Sequence, residues 1–596
     1  MTLEQQLIQT IQQALQQIWK LTVSPQELSL QPTHKQFEGS HTFVTFPWAR
    51  RCQQKPEEIA QQLGDWMQAN STLVAHFNVF KGFLNITLTD QVWVAELKAI
   101  RQAPHFGQSP ASGKKVLIEF PAPNTNKPLH LGHLRNIFLG DTMVKILQAI
   151  GHEVYRVNLV NDRGIHICKS MVAYQQFSRG ETPATSGTKG DHLVGYYYVK
   201  FDQVYKEQVA ALTEQLGDRE QAKKEAPILL EARQMLQKWE QGDKEVWALW
   251  EKMNSWVYEG FEATYRQLGI TFDKTYYESQ TYLLGKKVVE EGLKRDIFYQ
   301  KEDGSIWADL TEQKLDQKLL LRADGTSVYI TQDLGVVDLR YKDYHFDQSI
   351  YVVGNEQDYH FEVLSKVMQQ LGRSYSNAIH HLSYGMVDLP TGKMKSREGT
   401  VVDADELIED MINTAAKHTQ ELGKIDGFTE KEAQQLYRML GLGALKFFLL
   451  RVEAKKRILF DPKASIDFQG HTGPFIQYTH ARISAILRNA RQAGIAIEGI
   501  ELDTDLPLQS LDRDLIVLLA KFPQRLQEAA KAYSPAVIAQ YAFDLAKTYN
   551  RLYAELPILR EENLALKTRR LYLSATVAQL LRRSMELLGI DLPTRM

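Results

Sequence analysis

Residues 116–136 read VLIEFPAPNTNKPLHLGHLRN, and this stretch decides the fold. Its first part, Val116–Phe120, is an apolar run short enough for a buried parallel strand. A loop follows, then a helix from about His130 to Ile150, then a second strand at Glu153–Val160 (EVYRVNLV). Strand, loop, helix and strand in this order predict a βαβ unit, the beginning of a doubly wound nucleotide-binding sheet.

Two histidines, His130 and His133, stand at the start of the predicted helix with Gly132 between them. Their spacing places both imidazoles on one side of the first helical turn, where free backbone N–H groups attract phosphate. Gly132 has no side chain, so a base or ribose can approach the backbone closely. The motif suits ATP whose α-phosphate is attacked by a carboxylate. Taken alone, it is also compatible with two helix-start histidines that do no chemistry.

A second motif, GKMKSREGT at 392–400, lies about 260 residues downstream, just after the strand-like stretch Ser383–Leu389. Lysine, serine and glycine in a loop form a phosphate-seeking segment that can close over a leaving pyrophosphate. By itself this segment is equally consistent with a solvated basic turn. The two motifs in this order, each following a strand, indicate a nucleotide site.

The chain divides into three parts around these motifs. Residues 1–110 combine an opening amphipathic helix with period-2 alternation at His41–Pro47 and Gly82–Thr89, which predicts a small α+β domain. Residues 111–430 form the nucleotide-binding domain, with a charged helical insertion around 196–266. Further strands in that domain are predicted at Ser327–Ile330, Gln348–Val353 and Ser383–Leu389.

Residues 431–596 have helical periodicity throughout and predict a separate all-helical domain. The predicted helices are Lys431–Leu450, Gly473–Arg491, Leu511–Ala532, Pro535–Tyr553 and Lys567–Leu588. From Gly441 to Met596 there are 22 Lys+Arg and 16 Asp+Glu, a local charge of +6 in a chain whose net charge is −2. This bias is compatible with phosphate contacts, although most such charges solvate helix faces.

Composition excludes several classes of protein. The longest apolar stretches, such as Leu515–Ala520, are far shorter than the ~20 residues of a transmembrane helix. The N-terminus lacks the basic start and small-residue cleavage site of a signal peptide. The cysteines, Cys52 and Cys168, offer neither a disulfide framework nor a zinc site, which fits a reducing cytoplasm. We therefore expect a cytoplasmic protein with no membrane segment.

The two motifs resemble the HIGH and KMSKS signatures of class I aminoacyl-tRNA synthetases, and their surroundings resemble the arginyl-tRNA synthetases. The matching stretches are EFPAPNTNKPLHLGHLRN (119–136), YITQDLGVV (329–337), YVVGNEQDYHF (351–361) and GHTGPFIQYTHARI (470–483). The resemblance covers most of the chain. It implies an α/β fold class: a Rossmann-type catalytic domain between an N-terminal tRNA-contacting domain and a helical anticodon-binding domain.

The resemblance also implies a reaction. ATP activates L-arginine to arginyl-adenylate, and the arginyl group then passes to the 3′ end of tRNA(Arg), releasing AMP and pyrophosphate. Mg²⁺ is expected on the phosphates of ATP, and no protein metal-ligand cluster is expected. The family usually needs bound tRNA for the first step, and a monomer is its default state.

Roles around ATP follow from the resemblance. The expected phosphate contacts are His130, His133, Lys127 and Lys393, and the further ATP-binding residues are Gly132, Leu131, Met394, Lys395 and Ser396. Ser396 stands where the KMSKS signature has its second lysine, and Lys127 is the lysine that the family often carries before the histidine motif in compensation. Two departures, Pro121 for a usual serine and Asn161–Gly164 for a usual Gly-Asp-Trp-Gly, put some substrate contacts in doubt.

The arginine site is implied at Glu119, Asn124, Tyr329, Asp333 and Gln357. A guanidinium is planar and always charged, so its pocket needs carboxylates, here Glu119 and Asp333. Tyr329 would pack against the guanidinium plane, Gln357 would complete the polar wall, and Asn124 would hold the α-amino group. Without the family frame, such residues are indistinguishable from ordinary surface groups. Lysine and citrulline would leave buried acceptors unpaired and be rejected.

Contacts with tRNA are expected on the helical domain, because RNA bases stack on aromatic and arginine planes. The candidates are Phe475, Gln477, Tyr478, Tyr549, Asn550 and Tyr553. Tyr549 and Tyr553 stand four residues apart on one helix face, a spacing that also suits a buried core pair.

Three alternatives remain beside this interpretation. A class I synthetase for cysteine or glutamate would need a zinc-type cysteine set or a basic pocket. A small-substrate adenylyltransferase with an H-x-G-H motif would not need the last 150 or so residues. A catalytically inactive tRNA-binding paralogue should have damaged signatures, whereas His130, Gly132, His133 and Lys393 are all present.

Overall fold

The computed structural model describes residues 3–34, 36–388, 402–423 and 425–596. The N-terminal part is an antiparallel sheet of strand order β1-β2-β4-β3 covered by helices. Its elements are α1 (Leu3–Trp19), β1 (Leu30–Pro32), β2 (His41–Val44), α2 (Ala49–Cys52), α3 (Pro56–Asn70), β3 (Val74–Phe80), β4 (Phe83–Leu88) and α4 (Asp90–Gln102). The predicted strands at 41–47 and 82–89 are β2 and β4, so this part is α+β as expected.

The predicted βαβ unit forms and is followed by a helical insertion. Its elements are β5 (Lys115–Glu119), α5 (Leu131–Ala149), β6 (Glu153–Val160) and α6 (Ile165–Phe177). The insertion continues through α7 (Pro183–Ser186), α8 (Gly190–Leu216), α9 (Arg219–Glu225), α10 (Pro227–Glu240) and α11 (Lys244–Leu268). Helix α5 is buried along most of its length, because it packs between the sheet and the helical domain.

The second half of the catalytic part completes the sheet. Its elements are β7 (Lys274–Tyr277), α12 (Glu278–Thr281), α13 (Leu284–Lys294), β8 (Phe298–Gln300), β9 (Ile306–Ala308), β10 (Lys318–Leu321), α14 (Tyr329–Tyr344), β11 (Gln348–Gly354), α15 (Asp358–Gln370), β12 (Ile379–Tyr384), β13 (Val387–Asp388) and α16 (Ala404–Glu421). Strands β8 to β10 form a separate antiparallel sheet.

The central sheet is parallel, in the order β12-β11-β5-β6-β7. Strand order reverses direction at β5, with β11 on one side and β6 on the other. In open α/β sheets, ligands bind beyond the carboxyl ends of the strands at such a switch point. Glu119 lies there, with Tyr351 of β11 and Val157 of β6 in register beside it.

The C-terminal part is helical. Its elements are α17 (Glu430–Leu450), β14 (Ile458–Leu459), α18 (Pro462–Ser465), α19 (Gly473–Gln492), α20 (Ser510–Ala520), α21 (Phe522–Lys531), α22 (Pro535–Glu555) and α23 (Leu564–Leu587). Strand β14 is the exception to the predicted all-helical character: its two residues pair in parallel with β13 of the catalytic part.

Three sequence predictions of local structure are wrong. Residues 327–330 are not a strand, because Tyr329 opens α14 and the Val328 N–H donates to Thr331 Oγ1 at 3.2 Å. The predicted helix 511–532 is two helices, because Pro523 lacks the N–H needed to continue the first. The strand predicted at 383–389 is divided between the end of β12 and the short β13, and Leu389 lies outside the described residues.

Candidate active site

The rings of the two histidines accept hydrogen bonds from backbone N–H groups at the start of α5. The Gly132 N–H donates to His130 Nδ1 at 3.1 Å, and the His130 N–H donates to His133 Nδ1 at 3.1 Å. The ring centroids are 3.9 Å apart. A Cβ at position 132 would lie 2.9 Å from the His130 ring, so a larger residue there would have to displace that imidazole.

Both imidazoles are neutral at physiological pH. Burial lowers the pKa of His130 to about 3, helped by the charge of Lys127. Burial also lowers the pKa of His133 well below its usual value, and His130 and Lys127 lower it further. Because each Nδ1 accepts a backbone hydrogen bond, the proton of each neutral ring is on Nε2. The pair therefore offers two neutral N–H donors beside a lysine ammonium.

The segment that follows the lysine motif is hydrogen-bonded to the histidine motif. The Leu131 N–H donates to the Val402 carbonyl at 3.1 Å, and the Ala404 N–H donates to the Leu129 carbonyl at 3.0 Å. His130 and Asp403 face each other in this antiparallel bridge. Lys393, Met394, Lys395 and Ser396 lie outside the described residues. The chain leaving their segment thus begins its next helix beside the histidines.

A second group of side chains joins the insertion to α16 near this bridge. Lys189 Nζ lies 2.6 Å from Asp405 Oδ2, 3.2 Å from Asp191 Oδ2 and 2.6 Å from Thr264 Oγ1. His192 Nε2 lies 3.1 Å from the same Asp405 oxygen. Among the described residues, Asp191, His192 and Asp405 have the spacing of metal ligands, but the Lys189 ammonium already sits against both carboxylates.

Carboxylates gather at the carboxyl ends of β5, β6 and β7. Burial raises the pKa of Glu119, the Arg340 charge lowers it, and the Asp333 charge raises it. Burial also raises the pKa of Glu278 to about 7, with Asp162 and Asp333 among the groups that raise it further. Asp333 is therefore near both glutamates. The two acidic residues expected for a guanidinium, Glu119 and Asp333, are brought together.

Glu119, which is expected in the arginine site, is already paired within the protein. Its side chain is buried and forms an ion pair with the buried Arg340 of α14. The Arg340 guanidinium also lies 5.6 Å from the Tyr351 ring. Asp333 is more open and accepts from His360 Nε2 at 2.5 Å.

The other three residues expected for arginine are exposed, on the loop after β5 and at the starts of α14 and α15. Tyr329 begins α14, one turn before Asp333, and is 81% exposed. Asn124 is exposed and pairs with Asn161 in a bridge that joins the loops after β5 and β6. Gln357 is exposed at the start of α15, the helix that carries His360.

Four side chains in this region were not found from the sequence. Asp162 is buried and accepts from the Ser279 N–H and Oγ and from the Tyr258 hydroxyl, at 2.7–2.9 Å. Arg340 forms the ion pair with Glu119, and His360 is hydrogen-bonded to Asp333. Glu278 directly follows β7, a strand that the sequence analysis did not predict. The available signal was position: an acidic residue after each parallel strand lies at the same edge of the sheet.

The helical part presents an aromatic and cationic surface around Arg482. Its guanidinium lies 4.7 Å from the Tyr478 ring and 5.0 Å from the Tyr553 ring. Arg482 Nη1 donates to Asn550 Oδ1 at 2.5 Å. Phe475 is half-buried, with its ring centroid 5.4 Å from that of Phe543. Stacked arginine and tyrosine planes of this kind suit unpaired bases.

Two of the expected RNA contacts are corrected by the structure. Tyr549 is fully buried, and its hydroxyl donates to Ser574 Oγ at 3.0 Å. Gln477 is also fully buried, and its Nε2 donates to the carbonyls of Met439 and Asp591. Both side chains hold the domain together and are not available to a base.

The described part of the chain contains no helix long and apolar enough to cross a bilayer.

Three family models match the chain in succession. The model for the arginyl-tRNA synthetase N-terminal domain matches residues 5–88. The model for the catalytic domain of class I tRNA synthetases (R) matches residues 97–461. The DALR anticodon-binding domain model matches residues 476–596.

Similar curated proteins and solved structures agree with these matches. Arginine–tRNA ligases of Amoebophilus asiaticus and Bacteroides thetaiotaomicron are 61% and 51% identical to the chain, over all of both sequences in each case. The arginyl-tRNA synthetase of Thermus thermophilus superposes with a TM-score of 0.80 at 25% identity, covering both chains fully. The chain therefore belongs to the arginyl-tRNA synthetase family of class I aminoacyl-tRNA synthetases.

Proposed function

We propose the following assignment of roles for an arginine–tRNA ligase reaction in this chain. The carboxylate of L-arginine attacks the α-phosphorus of ATP, forming arginyl-adenylate and releasing pyrophosphate. The terminal ribose hydroxyl of tRNA(Arg) then attacks the arginyl carbonyl, and AMP leaves. The protein needs no covalent nucleophile, so it accelerates both steps by positioning and by electrostatic stabilisation.

The phosphate chain of ATP lies at the N-terminus of α5. His130 and His133 donate from Nε2 to phosphate oxygens as negative charge shifts toward the leaving pyrophosphate. Lys127 and Lys393 provide ammonium groups there. Leu131, Gly132, Met394, Lys395 and Ser396 complete the ATP site. Mg²⁺ enters on the phosphates as part of the substrate.

The guanidinium of arginine binds where the carboxylates gather. Asp333 accepts its N–H groups, and Glu278 is added to the residues expected from the sequence. Tyr329 covers the guanidinium plane, Gln357 closes the polar wall, and Asn124 holds the α-amino group. Glu119 acts together with Arg340. Either the arginine substrate displaces Arg340 from Glu119, or the ion pair stays intact and fixes the position of α14.

The observation that carries this assignment is the bridge between Leu129–Leu131 and Val402–Ala404. It holds the chain that leaves the lysine motif against the first turn of α5. This contact supports a single phosphate site that the two motifs share.

Contacts with the tRNA anticodon belong to the Arg482 surface, with Tyr478, Asn550, Tyr553 and Phe475. The N-terminal part, residues 1–110, contacts another part of the tRNA. The protein acts as a cytoplasmic monomer. The domain limits 1–110, 111–430 and 431–596 are retained for this assignment.

The deciding experiment is ATP–pyrophosphate exchange with each of the twenty amino acids, with and without tRNA(Arg). Exchange is expected with arginine alone among the twenty, and it should increase when tRNA is added. Arginine-dependent exchange that fails under every condition would overturn the assignment. Exchange in the full-length chain that needs no arginine and is unaffected by tRNA would favour a small-substrate adenylyltransferase.

A further inference from the structure

A cavity of about 1010 Å³ lies between the N-terminal part, α5 and the helical part. Six cationic side chains line it, against two carboxylates, Glu498 and Glu586. The cations are Arg101, Lys145, Arg488, Arg491, Arg582 and Arg583. An excess of four positive charges in one recess stands out in a chain whose net charge is −2.

Most of these charges are not neutralised by the protein. Arg101 donates to Gln579 Oε1 at 2.8 Å, Arg488 to the Thr594 carbonyl at 2.6 Å, and Arg583 to the Pro104 carbonyl at 3.3 Å. Arg582 lies 3.3 Å from His480 Nε2. Within the described ranges, none of these four guanidiniums has a carboxylate oxygen within 4.0 Å.

Of the two remaining cations, Lys145 is compensated by a carboxylate and Arg491 only weakly so. Lys145 pairs with Asp141 at 2.5 Å, and Arg491 lies 4.0 Å from Glu498. Buried Arg135 and Arg569 elsewhere are also held by backbone carbonyls, so it is the clustering of cations in one recess that distinguishes the cavity. Like charges held in one recess repel each other, and a bound anion would relieve that repulsion.

The cavity is separate from both sites already described. Arg491 lies nine residues after Arg482 on α19, about half a turn round the helix, so it faces away from the Arg482 surface. Lys145 and Gln148 reach the cavity from the last turns of α5, about 21 Å and 26 Å along the helix from Leu131. The active-site histidines are at the other end of that helix.

We propose that this cavity binds a small anion with several linked phosphate groups, such as a nucleoside polyphosphate. Guanidiniums match phosphate oxygens with paired N–H donors, and several separated cations call for several anionic groups in one ligand. A cavity of this volume is at the upper end of the range for small-molecule sites, roughly 300–1000 Å³. Because three parts of the chain supply the cations, the bound anion holds them together.

The test is calorimetric titration of the full-length protein with inorganic tripolyphosphate. The double variant Arg488→Gln/Arg582→Gln should bind about tenfold or more weakly at this site, since each lost hydrogen bond to a charged group contributes about that factor. The matched control is Arg551→Gln/Arg560→Gln, which changes two exposed arginines of the same helical part and should bind as the unaltered protein does. Lys127→Ala weakens phosphate binding at the active site and should leave the cavity's affinity unchanged.

Hydrogen exchange of the unaltered protein locates the site independently of any variant. Tripolyphosphate should protect amides at the C-terminal ends of α19 and α23, and this protection should weaken as salt is raised, because mobile ions screen the attraction. Should Arg488→Gln/Arg582→Gln fold poorly, Arg491→Gln replaces it, since that side chain is exposed and its carboxylate partner is 4.0 Å away.

Binding that is unchanged in Arg488→Gln/Arg582→Gln, with protection confined to the active site, would overturn the proposal. If tripolyphosphate fails to bind in the cavity and the same variant loses affinity for tRNA, the cations serve an RNA backbone and the small-anion proposal is wrong. Neither result depends on aminoacylation, so failure here is distinguishable from failure of the assigned reaction.

Discussion

At the scale of single residues, the active site depends on the protonation of two imidazoles. His130 and His133 accept backbone N–H groups at Nδ1 and are held neutral by burial. A neutral imidazole donates one hydrogen bond without bringing a charge, so in the proposed assignment the cationic contribution to the phosphates comes from lysine. This division of roles makes the histidines donors of fixed direction.

Replacing His133 by alanine should lower kcat for arginine-dependent exchange by about 10²–10³-fold, the effect of losing one transition-state donor. The KM for arginine should change little, because the carboxylates assigned to arginine, Asp333 and Glu278, come from α14 and α12. Steady-state exchange kinetics would measure kcat and KM, and thermal melting followed by circular dichroism would show that the variant is folded. Leu134→Ala, a core change one residue away, is the control for destabilisation. A rise in the KM for arginine with unchanged kcat would contradict the role.

Glu278 should control the acid side of the pH profile. Its pKa of about 7 means that it is charged above neutrality and protonated below. The kcat/KM for arginine, which reports the free enzyme, should therefore fall as pH drops through about 7. In Glu278→Gln this inflection should disappear, and kcat/KM should be low at every pH. An inflection that survives in Glu278→Gln would assign it to another group.

At the scale of elements, the contact between α8 and α16 is held by charge. Lys189, Asp191 and His192 at the start of α8 meet Asp403 and Asp405 at the start of α16. A hydrogen bond to Asp405 raises the pKa of His192, which burial opposes, and the nearby aspartates raise it further. This contact fixes the helix that follows the lysine motif.

The contribution of His192 to stability should depend on pH. Because its folded-state pKa is raised, the stabilisation is fully present below the unfolded value of about 6.5 and is lost as pH rises through the folded value. His192→Gln should therefore be destabilised by about 1–3 kcal/mol at pH 5.5 and by much less at pH 9. Denaturant unfolding at both pH values would measure this difference, with the exposed residue change His76→Gln as control. An equal decrease in the free energy of unfolding at the two pH values would exclude a charged His192.

The sequence predicted long helices and strands with clear hydrophobic periodicity better than it predicted short ones. The unit from β5 through α5 to β6 was predicted within one or two residues, because an apolar strand and a long helix differ in periodicity. Residues 327–330 were wrongly predicted as a strand, since four apolar and polar residues suit either structure. Strand β7 was missed for the same reason, and Glu278 with it. The pairing of Glu119 with Arg340 has no local signal, because it joins positions 221 residues apart.

At the scale of the whole molecule, the helical part covers the catalytic core. Helix α5 contacts α17, α21, α22 and α23 as well as the sheet. Buried Lys446 of α17 donates to the carbonyls of Leu268 and Gly589, which joins the insertion, the helical part and the C-terminus. The helical part is therefore needed for the core as well as for RNA.

A chain shortened to residues 1–430 should fail to fold stably. Removing the remainder exposes the apolar face of α5 to water, and burial of apolar surface contributes about 25 cal/mol per Å². We expect aggregation or loss of the cooperative melting transition that the full chain shows. Calorimetry and sedimentation of both chains would check this. A soluble shortened chain that melts cooperatively and retains exchange activity would contradict it.

The bridge between Leu129–Leu131 and Val402–Ala404 also bears on kinetics. Its two backbone hydrogen bonds join the first turn of α5 to the residues just before α16, so a shift of α16 would carry the His130 and His133 rings with it. A substitution that loosens α16 should therefore lower kcat for exchange although it touches no substrate.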